Sequence, residues 1–187
     1  MNERFQSMKE SAEITILPYC WLTVCKSFFK RYPNPYASHV LSEDTVHREI
    51  KDGKFLNRRI FCKTTATSLP NWLEKLVKKP QALILEEAIV DLYAKRLISL
   101  TKNLEHKKLV IASETTEYIP SYFDPNKTVM TRRTIVRSPL KGLTGRMIEK
   151  ICHVGAIRNA KQAVQGFLYV LARDNGRTPR GQDIAFS

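Results

Sequence analysis

The spacing of apolar residues near the start of the chain predicts a short strand followed by a helix. Residues 14–17 are β-branched or apolar, as in a strand, and Pro18 ends the run. Apolar residues then recur every three or four positions, which is the repeat of one helix face. They are Trp21, Val24, Cys25, Phe28, Phe29 and Tyr32. The prolines within 33–35 are expected to stop this helix.

The middle of the chain predicts a series of strands. They cover residues 39–50, 54–64, 81–92, 95–104, 108–119 and 127–138. Most of the links between them are short, and Asp52-Gly53 is a strong hairpin signal. We therefore expect a meandering antiparallel sheet. Several strands are apolar on both alternating faces, as around Leu83 and Ile84, so we expect both faces of the sheet to be partly covered.

A long amphipathic helix is predicted after the sheet. Ser138 is placed as its N-cap and Pro139 as its first residue, and apolar residues repeat every three or four positions as far as Leu171. Gly155 would bend or weaken this helix, at a cost of ~1 kcal/mol relative to alanine. A short helix, a curved sheet and a closing helix describe an α+β fold that grips a pocket, although the pattern names no ligand.

Composition adds one strong constraint, which is charge. The 187 residues suit a single domain, and 31 Lys and Arg against 18 Asp and Glu give a net charge of +13. The partner is expected to be anionic, and nucleic acid, an acidic membrane surface and an acidic protein all satisfy this. No apolar run approaches the ~20 residues that cross a bilayer. Residues 1–13 carry charges of both signs and are not expected to act as a secretory signal or a transit peptide.

Residues that could support catalysis are scattered. The sequence has no Gly-rich phosphate loop, His-Glu-x-x-His motif or nucleophile elbow, so we expect neither an enzyme nor a bound cofactor. The four cysteines lack the spacing of metal ligands and are interpreted as structural thiols. They are Cys20, Cys25, Cys62 and Cys152. Two other functions stay open: a basic RNA-binding module, although no RRM, KH or helix-turn-helix motif is present, and a hydrolase, which needs a paired nucleophile and base.

The most specific motif lies within residues 28–44, where Tyr32-Pro33-Asn34-Pro35-Tyr36 is followed by His39-Val40-Leu41. This segment resembles the signature of the PRELI (MSF1-like) family of mitochondrial lipid-transfer proteins. Further matching positions follow in the family's order: Asp52-Gly53-Lys54, Arg59, Lys63, Leu69-Pro70-x-Trp72 and Asn159. The resemblance covers about residues 14–172, which leaves 1–13 as an N-terminal extension and 173–187 as a flexible C-terminal tail.

The resemblance implies a phospholipid carrier of the mitochondrial intermembrane space. Its expected fold is a seven-stranded curved antiparallel sheet with three helices that form a helix-grip lipid pocket. Tyr36 and the run from His39 are similar to the phosphatidic acid branch, whose cargo is a precursor of cardiolipin. The resemblance also implies contact with an anionic membrane surface and a heterodimer with a small twin-cysteine-motif helical hairpin protein. It does not imply nucleic-acid binding.

A phosphate group inside a half-apolar pocket needs fixed positive charge, because an unpaired desolvated anion costs several kcal/mol. On the family match we predict lipid headgroup contacts at Arg31, His39, Arg59, Lys63 and Asn159. Four of them have an alternative. Arg31 could be a surface arginine beside a turn, and Arg59 could pair with an acidic strand neighbour. His39 could cap a strand, and Asn159 could face solvent.

The segment of residues 69–80 is predicted to be a lid that touches the membrane. Its apolar side chains share one side and lysines surround them. Tryptophan prefers the lipid interface, and each lysine near an anionic surface contributes ~1 kcal/mol. The predicted contacts are Leu69, Pro70, Trp72, Leu73, Leu76, Val77, Lys75 and Lys78. The alternative is a loop in which Trp72 plugs the core.

Overall fold

The computed structural model describes residues 8–64, 70–75, 77 and 81–176. Its elements are β1 Lys9–Leu17, α1 Trp21–Phe28, β2 Val40–Lys51, β3 Lys54–Thr64, α2 Asn71–Glu74, β4 Gln81–Asp91, β5 Arg96–Asn103, β6 Ile111–Pro120, β7 Thr128–Arg137 and α3 Gly142–Asp174. Over this part of the chain, the predicted α+β fold with a seven-stranded antiparallel sheet and three helices is confirmed.

Strands β2 to β7 form a meander, and β1 pairs with β7 at one edge of the sheet. Its order is β1-β7-β6-β5-β4-β3-β2, and every pairing is antiparallel. Strand β1 begins at Lys9, five residues before the predicted strand, so part of the predicted extension pairs with β7. The polar sequence of residues 9–13 lacks the apolar pattern that predicts a strand, because an edge strand can expose charged side chains to water. Glu10, for example, forms a 2.6 Å salt bridge with Arg133.

Helix α1 is shorter than its apolar stripe. It ends at Phe28, and the Lys30 amide then donates a 3.0 Å hydrogen bond to the Ser27 carbonyl. The Arg31 guanidinium also donates to the Phe28 carbonyl at 2.9 Å, which satisfies an acceptor that the ended helix leaves open. Arg31 therefore lies just beyond the helix.

The prediction that Ser138 caps the last helix is wrong. Helix α3 begins at Gly142, whose φ of +75° is a left-handed conformation that glycine adopts readily. The Ser138 hydroxyl instead donates to the Leu109 carbonyl at 2.7 Å and accepts from the Leu140 amide at 3.2 Å. It thus ties the end of β7 to the β5–β6 link. From Gly142 the helix continues through Gly155 without interruption.

Helices α1 and α3 pack on one face of the sheet. Helix α3 contacts α1, β1 and β7, and α1 also contacts β6. The core lies between them, and the Trp21 indole N–H donates to the Tyr118 carbonyl there at 3.0 Å. On the opposite face Ile14, Ile16 and Ile89 are exposed, so the described residues do not cover both faces as expected. Within the described ranges, no helix has the length and apolarity to span a membrane.

The links between strands alternate between the two ends of the sheet. The β2–β3, β4–β5 and β6–β7 turns lie at one end, which we call the hairpin end. The β3–β4, β5–β6 and β7–α3 links lie at the other, which we call the mouth end. Val90, Leu97, Tyr118 and Met130 form a row of paired core positions near the hairpin end. The core thus leaves space under α3 toward the mouth end.

Candidate functional site

The space under α3 toward the mouth end is a cavity of about 320 Å³, which lies between α3 and the face of the sheet that α3 covers. Small side chains of α3, Ala156, Ala160 and Ala163, line it on the helix side. On the sheet side the lining includes many polar groups, because hydroxyl, amide and charged residues occupy alternate positions of neighbouring strands. The cavity therefore has an apolar roof and a polar floor.

Two of the predicted headgroup residues meet where β2 and β3 pair at the mouth end. Lys63 is opposite Val40, and the Thr64 amide donates to the His39 carbonyl at 2.9 Å, which places His39 and Lys63 side by side. Both line the cavity. Burial, with the nearby Lys63 ammonium, lowers the pKa of His39, so its imidazole is neutral at neutral pH. The Lys63 ammonium lies 5.6 Å from the Phe61 ring centroid.

A buried ion-pair network lies beside these residues, with Glu86 at its centre. Arg31 donates to one carboxylate oxygen of Glu86, while Arg59 donates to the other at 2.6 and 3.0 Å. Arg59 also donates to Glu43 at 3.2 Å. Burial alone would raise the pKa of Glu86, but the two guanidiniums outweigh it and lower this pKa. Glu86 is therefore an ionised carboxylate that holds two arginines in fixed positions.

Arg31 faces the cavity from this network. Its guanidinium carbon lies 4.1 Å from the Phe28 ring centroid and 5.0 Å from that of Tyr32, so aromatic faces hold the group from two sides. Its side chain is 13% exposed, which excludes the alternative of a surface arginine beside a turn. Arg31 thus presents a paired cation to the cavity.

Comparison with known proteins decides the family. The model of the PRELI-like family matches residues 23–177. The chain belongs to the PRELI-like family. Human "PRELI domain-containing protein 1, mitochondrial" is 34% identical over 169 residues, which are 88% of this chain and 76% of that protein. The "Protein ups1 homolog" of Schizosaccharomyces pombe is 32% identical over 158 residues, which are 84% of this chain and 91% of that protein.

Solved structures share the architecture of this PRELI-like chain at low sequence identity. A protein from Thermus thermophilus superposes with a TM-score of 0.60 and 15% identity, over 89% of this chain and 99% of that one. The Zhui aromatase/cyclase from a Streptomyces species gives 0.60 and 12%, over 96% and 100%. At such identities the likeness shows the fold alone.

The family-derived headgroup residues divide into two groups in the structure. Arg31, His39, Lys63 and Asn159 line the cavity. Asn159 does so from α3 while remaining exposed, so it lies at the rim. Arg59 is not among the lining residues, and it pairs with Glu86, its acidic strand neighbour. For Arg59 the structure favours the alternative.

The lid prediction is only partly covered by the structure, since Leu69, Leu76 and Lys78 lie outside the described residues. In α2, Leu73 is 2% exposed and Trp72 is 38% exposed, so the buried side chain of this helix is Leu73 and not Trp72. The Pro70 carbonyl accepts from the Leu73 and Glu74 amides at 2.8 and 3.0 Å. Lys75 is exposed and Val77 is half-buried.

Sequence reasoning missed the polar floor of the cavity. Ser99, Thr101, Glu114 and Thr116 line it from β5 and β6, and Arg132 lines it from β7. Arg132 is buried, donates to the Ala160 carbonyl of α3 at 3.0 Å, and lies 3.5 Å from a Glu114 oxygen. A sequence signal for this polar lining exists. In these strands, polar residues occupy every second position toward one end, whereas the other end is apolar.

Proposed function

We propose that this protein is a phospholipid-transfer protein that extracts phosphatidic acid from one mitochondrial membrane and carries it through the intermembrane space to another. The PRELI-like family is a lipid-transfer family, and its human member and yeast "Protein UPS1" are both named as mitochondrial. The bound phospholipid is cargo. The proposal includes no cofactor and no catalytic step.

One observation carries the choice of an anionic cargo, and it concerns Lys63. Among the described residues, the other cations that line the cavity have carboxylate partners: Arg31 has Glu86, Lys102 has Glu87 and Arg132 has Glu114. Within the same residues, no carboxylate lies within 4.0 Å of the half-buried Lys63 ammonium. A partly buried charge without a counterion is costly, and the phosphate of a lipid headgroup would supply that counterion.

The surrounding groups suit a phosphate monoester. Lys63 acts as a point charge, and the N–H donors of Arg31 that Glu86 and the Phe28 carbonyl do not use can bond to phosphate oxygens. His39, neutral because its pKa is lowered, can donate one ring N–H. Asn159 can donate an amide N–H from the rim. Arg59 supports this arrangement indirectly, because it fixes Glu86 and hence Arg31.

The size of the cavity limits what it encloses. A volume of about 320 Å³ lies at the lower end of the range for ligand pockets, roughly 300–1,000 Å³. This space suits a headgroup and glycerol, whereas two acyl chains need more room than it provides. We propose that the lid contains Leu69, Pro70, Trp72, Leu73, Lys75, Leu76, Val77 and Lys78, and that it touches an anionic membrane.

A protein partner belongs to the same proposal. We propose a heterodimer with a small twin-cysteine-motif helical hairpin protein, as the family resemblance implies. Exposed apolar side chains such as Ile14 and Ile16 give such a partner surface to cover. A partner that binds only the folded chain also stabilises it by mass action.

A matched pair of lysine variants tests the choice of cargo. Lys63→Gln should slow phosphatidic acid transfer between liposomes by about tenfold or more, because a hydrogen bond to a charged group contributes ~1.5–3 kcal/mol. Lys102→Gln is the control, since its ammonium pairs with Glu87 at 3.1 Å. Equal transfer by the two variants would refute the role of Lys63, and circular dichroism checks that both fold.

A further inference from the structure

Helix α3 is longer than the sheet it covers. Its 33 residues span roughly 50 Å at 1.5 Å per residue, whereas a ten-residue strand such as β7 spans roughly 34 Å. Most buried residues of α3 lie from Ala160 onward. The first half of the helix, which starts at the mouth end, instead exposes large apolar side chains: Leu143, Met147, Val154 and Ile157.

These four residues lie on one line along the helix, together with two lysines. Positions 143, 147, 150, 154, 157 and 161 are separated by four and three residues in turn, so they share one narrow face. We call them the outer seam, in which Lys150 and Lys161 each follow two apolar residues. Ala156 and Asn159, which line the cavity, lie on the other side of the same turns.

The charged side chains that α3 exposes around the outer seam are cationic. Between Gly142 and Arg173 the helix has one acidic residue, Glu149, which is 1% exposed and accepts from the Ser138 amide at 2.9 Å. Arg146 and Lys150 are exposed on the same half of the helix. This apolar line is 76% exposed at Leu143 and flanked by cations, and the helix from Gly142 to Arg173 adds no exposed carboxylate to it. Such a helix face complements an anionic lipid surface.

We propose that the outer seam docks on an anionic phospholipid bilayer and lays the first half of α3 in the interface, with the cavity mouth beside it. The inference rests on the proposed function, since the bilayer is the source of the cargo. It adds a membrane contact on α3 to the lid. The seam's lysines favour a bilayer over a partner helix, because two lysines among six seam positions weaken a coiled-coil contact, whereas lysine stems reach the headgroups from an interfacial helix.

Vesicle flotation of the full chain tests the docking surface. The vesicles are an equimolar mixture of phosphatidylcholine and phosphatidylserine, with pure phosphatidylcholine as the comparison. Leu143→Gln with Met147→Gln should lower binding by about tenfold, since glutamine keeps the helix but removes apolar burial. The matched control is Tyr122→Gln with Phe123→Gln, which removes two fully exposed aromatics at the hairpin end and should leave binding unchanged.

Charge is tested separately. Lys150→Gln should weaken binding to the anionic vesicles about fivefold, in line with ~1 kcal/mol per lysine near such a surface. Lys51→Gln at the hairpin end removes the same charge and should have little effect. Equal losses for Lys150 and Lys51 would overturn the proposal, because net charge alone would then explain the binding.

Three further outcomes would also overturn it. In the first, the Leu143/Met147 variant binds vesicles as well as the wild type does. In the second, the Tyr122/Phe123 control loses as much vesicle binding as the Leu143/Met147 variant. In the third, the wild type sediments as a dimer and the Leu143/Met147 variant as a monomer. Binding of soluble short-chain phosphatidic acid separates this inference from the function itself. Seam variants should keep that binding, and its absence in the wild type would refute the proposed cargo while flotation still decides the docking surface.

Discussion

At the scale of single residues, Glu86 determines how the cavity presents charge. It is 1% exposed and pairs with both Arg31 and Arg59, whereas its neighbour Glu87 pairs with Arg58 and Lys102 at the surface. Adjacent positions of a strand face opposite sides of the sheet, so one carboxylate is structural and the next is solvated. The loss of Glu86 would leave two buried guanidiniums without their shared counterion.

Glu86→Gln should therefore destabilise the fold by roughly 3–5 kcal/mol in urea unfolding, the range for removing one partner of a buried ion pair. Glu87→Gln is the control and should cost less than about 1 kcal/mol, as for exposed pairs. The pKa of Glu86 is lowered from its ordinary value of 4.5, so its contribution is present above that value and lost as the pH falls further. A Glu86→Gln protein whose stability falls as steeply in acid as the wild type's would contradict this account.

At the scale of elements, α3 approaches the α1–β2 link closely at Asn34, a residue that lines the cavity. A Cβ atom on Gly166 would lie 2.5 Å from the Asn34 side-chain oxygen. Asn34 donates to the Arg31 carbonyl at 2.7 Å and accepts from the Tyr36 amide at 2.9 Å. The asparagine of the Tyr-Pro-Asn-Pro-Tyr motif thus holds the backbone of Arg31, and Gly166 gives it the space.

Two glycines of α3 form a matched test of that approach. Gly166→Ala should destabilise the protein by ~1–3 kcal/mol, as overpacking does. Gly155→Ala meets nothing within 4 Å and should stabilise it by up to ~1 kcal/mol through helix propensity. Thermal melts followed by circular dichroism measure both changes. Similar melting shifts for the two variants would contradict the close approach.

The short helix α2 makes a separate prediction. Trp72 is 38% exposed, whereas Trp21 is buried with its indole N–H bonded to the Tyr118 carbonyl. Anionic vesicles should shift the wild-type tryptophan emission to shorter wavelength, because the Trp72 ring moves from water into the interface. The Trp72→Phe variant should show no shift. A shift of equal size in that variant would assign the signal to Trp21 and remove the membrane role of Trp72.

Sequence patterns predicted the elements better than the partners of their charges. Period-two alternation and Asp52-Gly53 were enough for the meander, but Ser138 resembled a helix cap although its hydroxyl bonds to the Leu109 carbonyl. Arg59 and Lys63 lie on the same face of β3, and the sequence predicted headgroup contacts for both, with pairing to an acidic strand neighbour as the alternative for Arg59. Register separates them, since Arg59 is opposite Glu86 and Lys63 is opposite Ala82, and pairing across strands is set by long-range contacts.

At the scale of the whole molecule, the two ends of the sheet have different tasks. The core fills the hairpin end, while the cavity, Lys63 and the extending half of α3 lie toward the mouth end. The net charge of +13 gives the whole surface an attraction for anionic membranes. We therefore expect the molecule to dock by its mouth end and to take up one anionic lipid there.

Native mass spectrometry tests this central claim most directly. The protein is incubated with vesicles that contain equal amounts of phosphatidic acid, phosphatidylserine and phosphatidylcholine, and then separated from them. The predicted result is one phosphatidic acid per chain, lost in Lys63→Gln and kept in Lys102→Gln. A chain that emerges without lipid, or with phosphatidylserine or phosphatidylcholine instead, would contradict it.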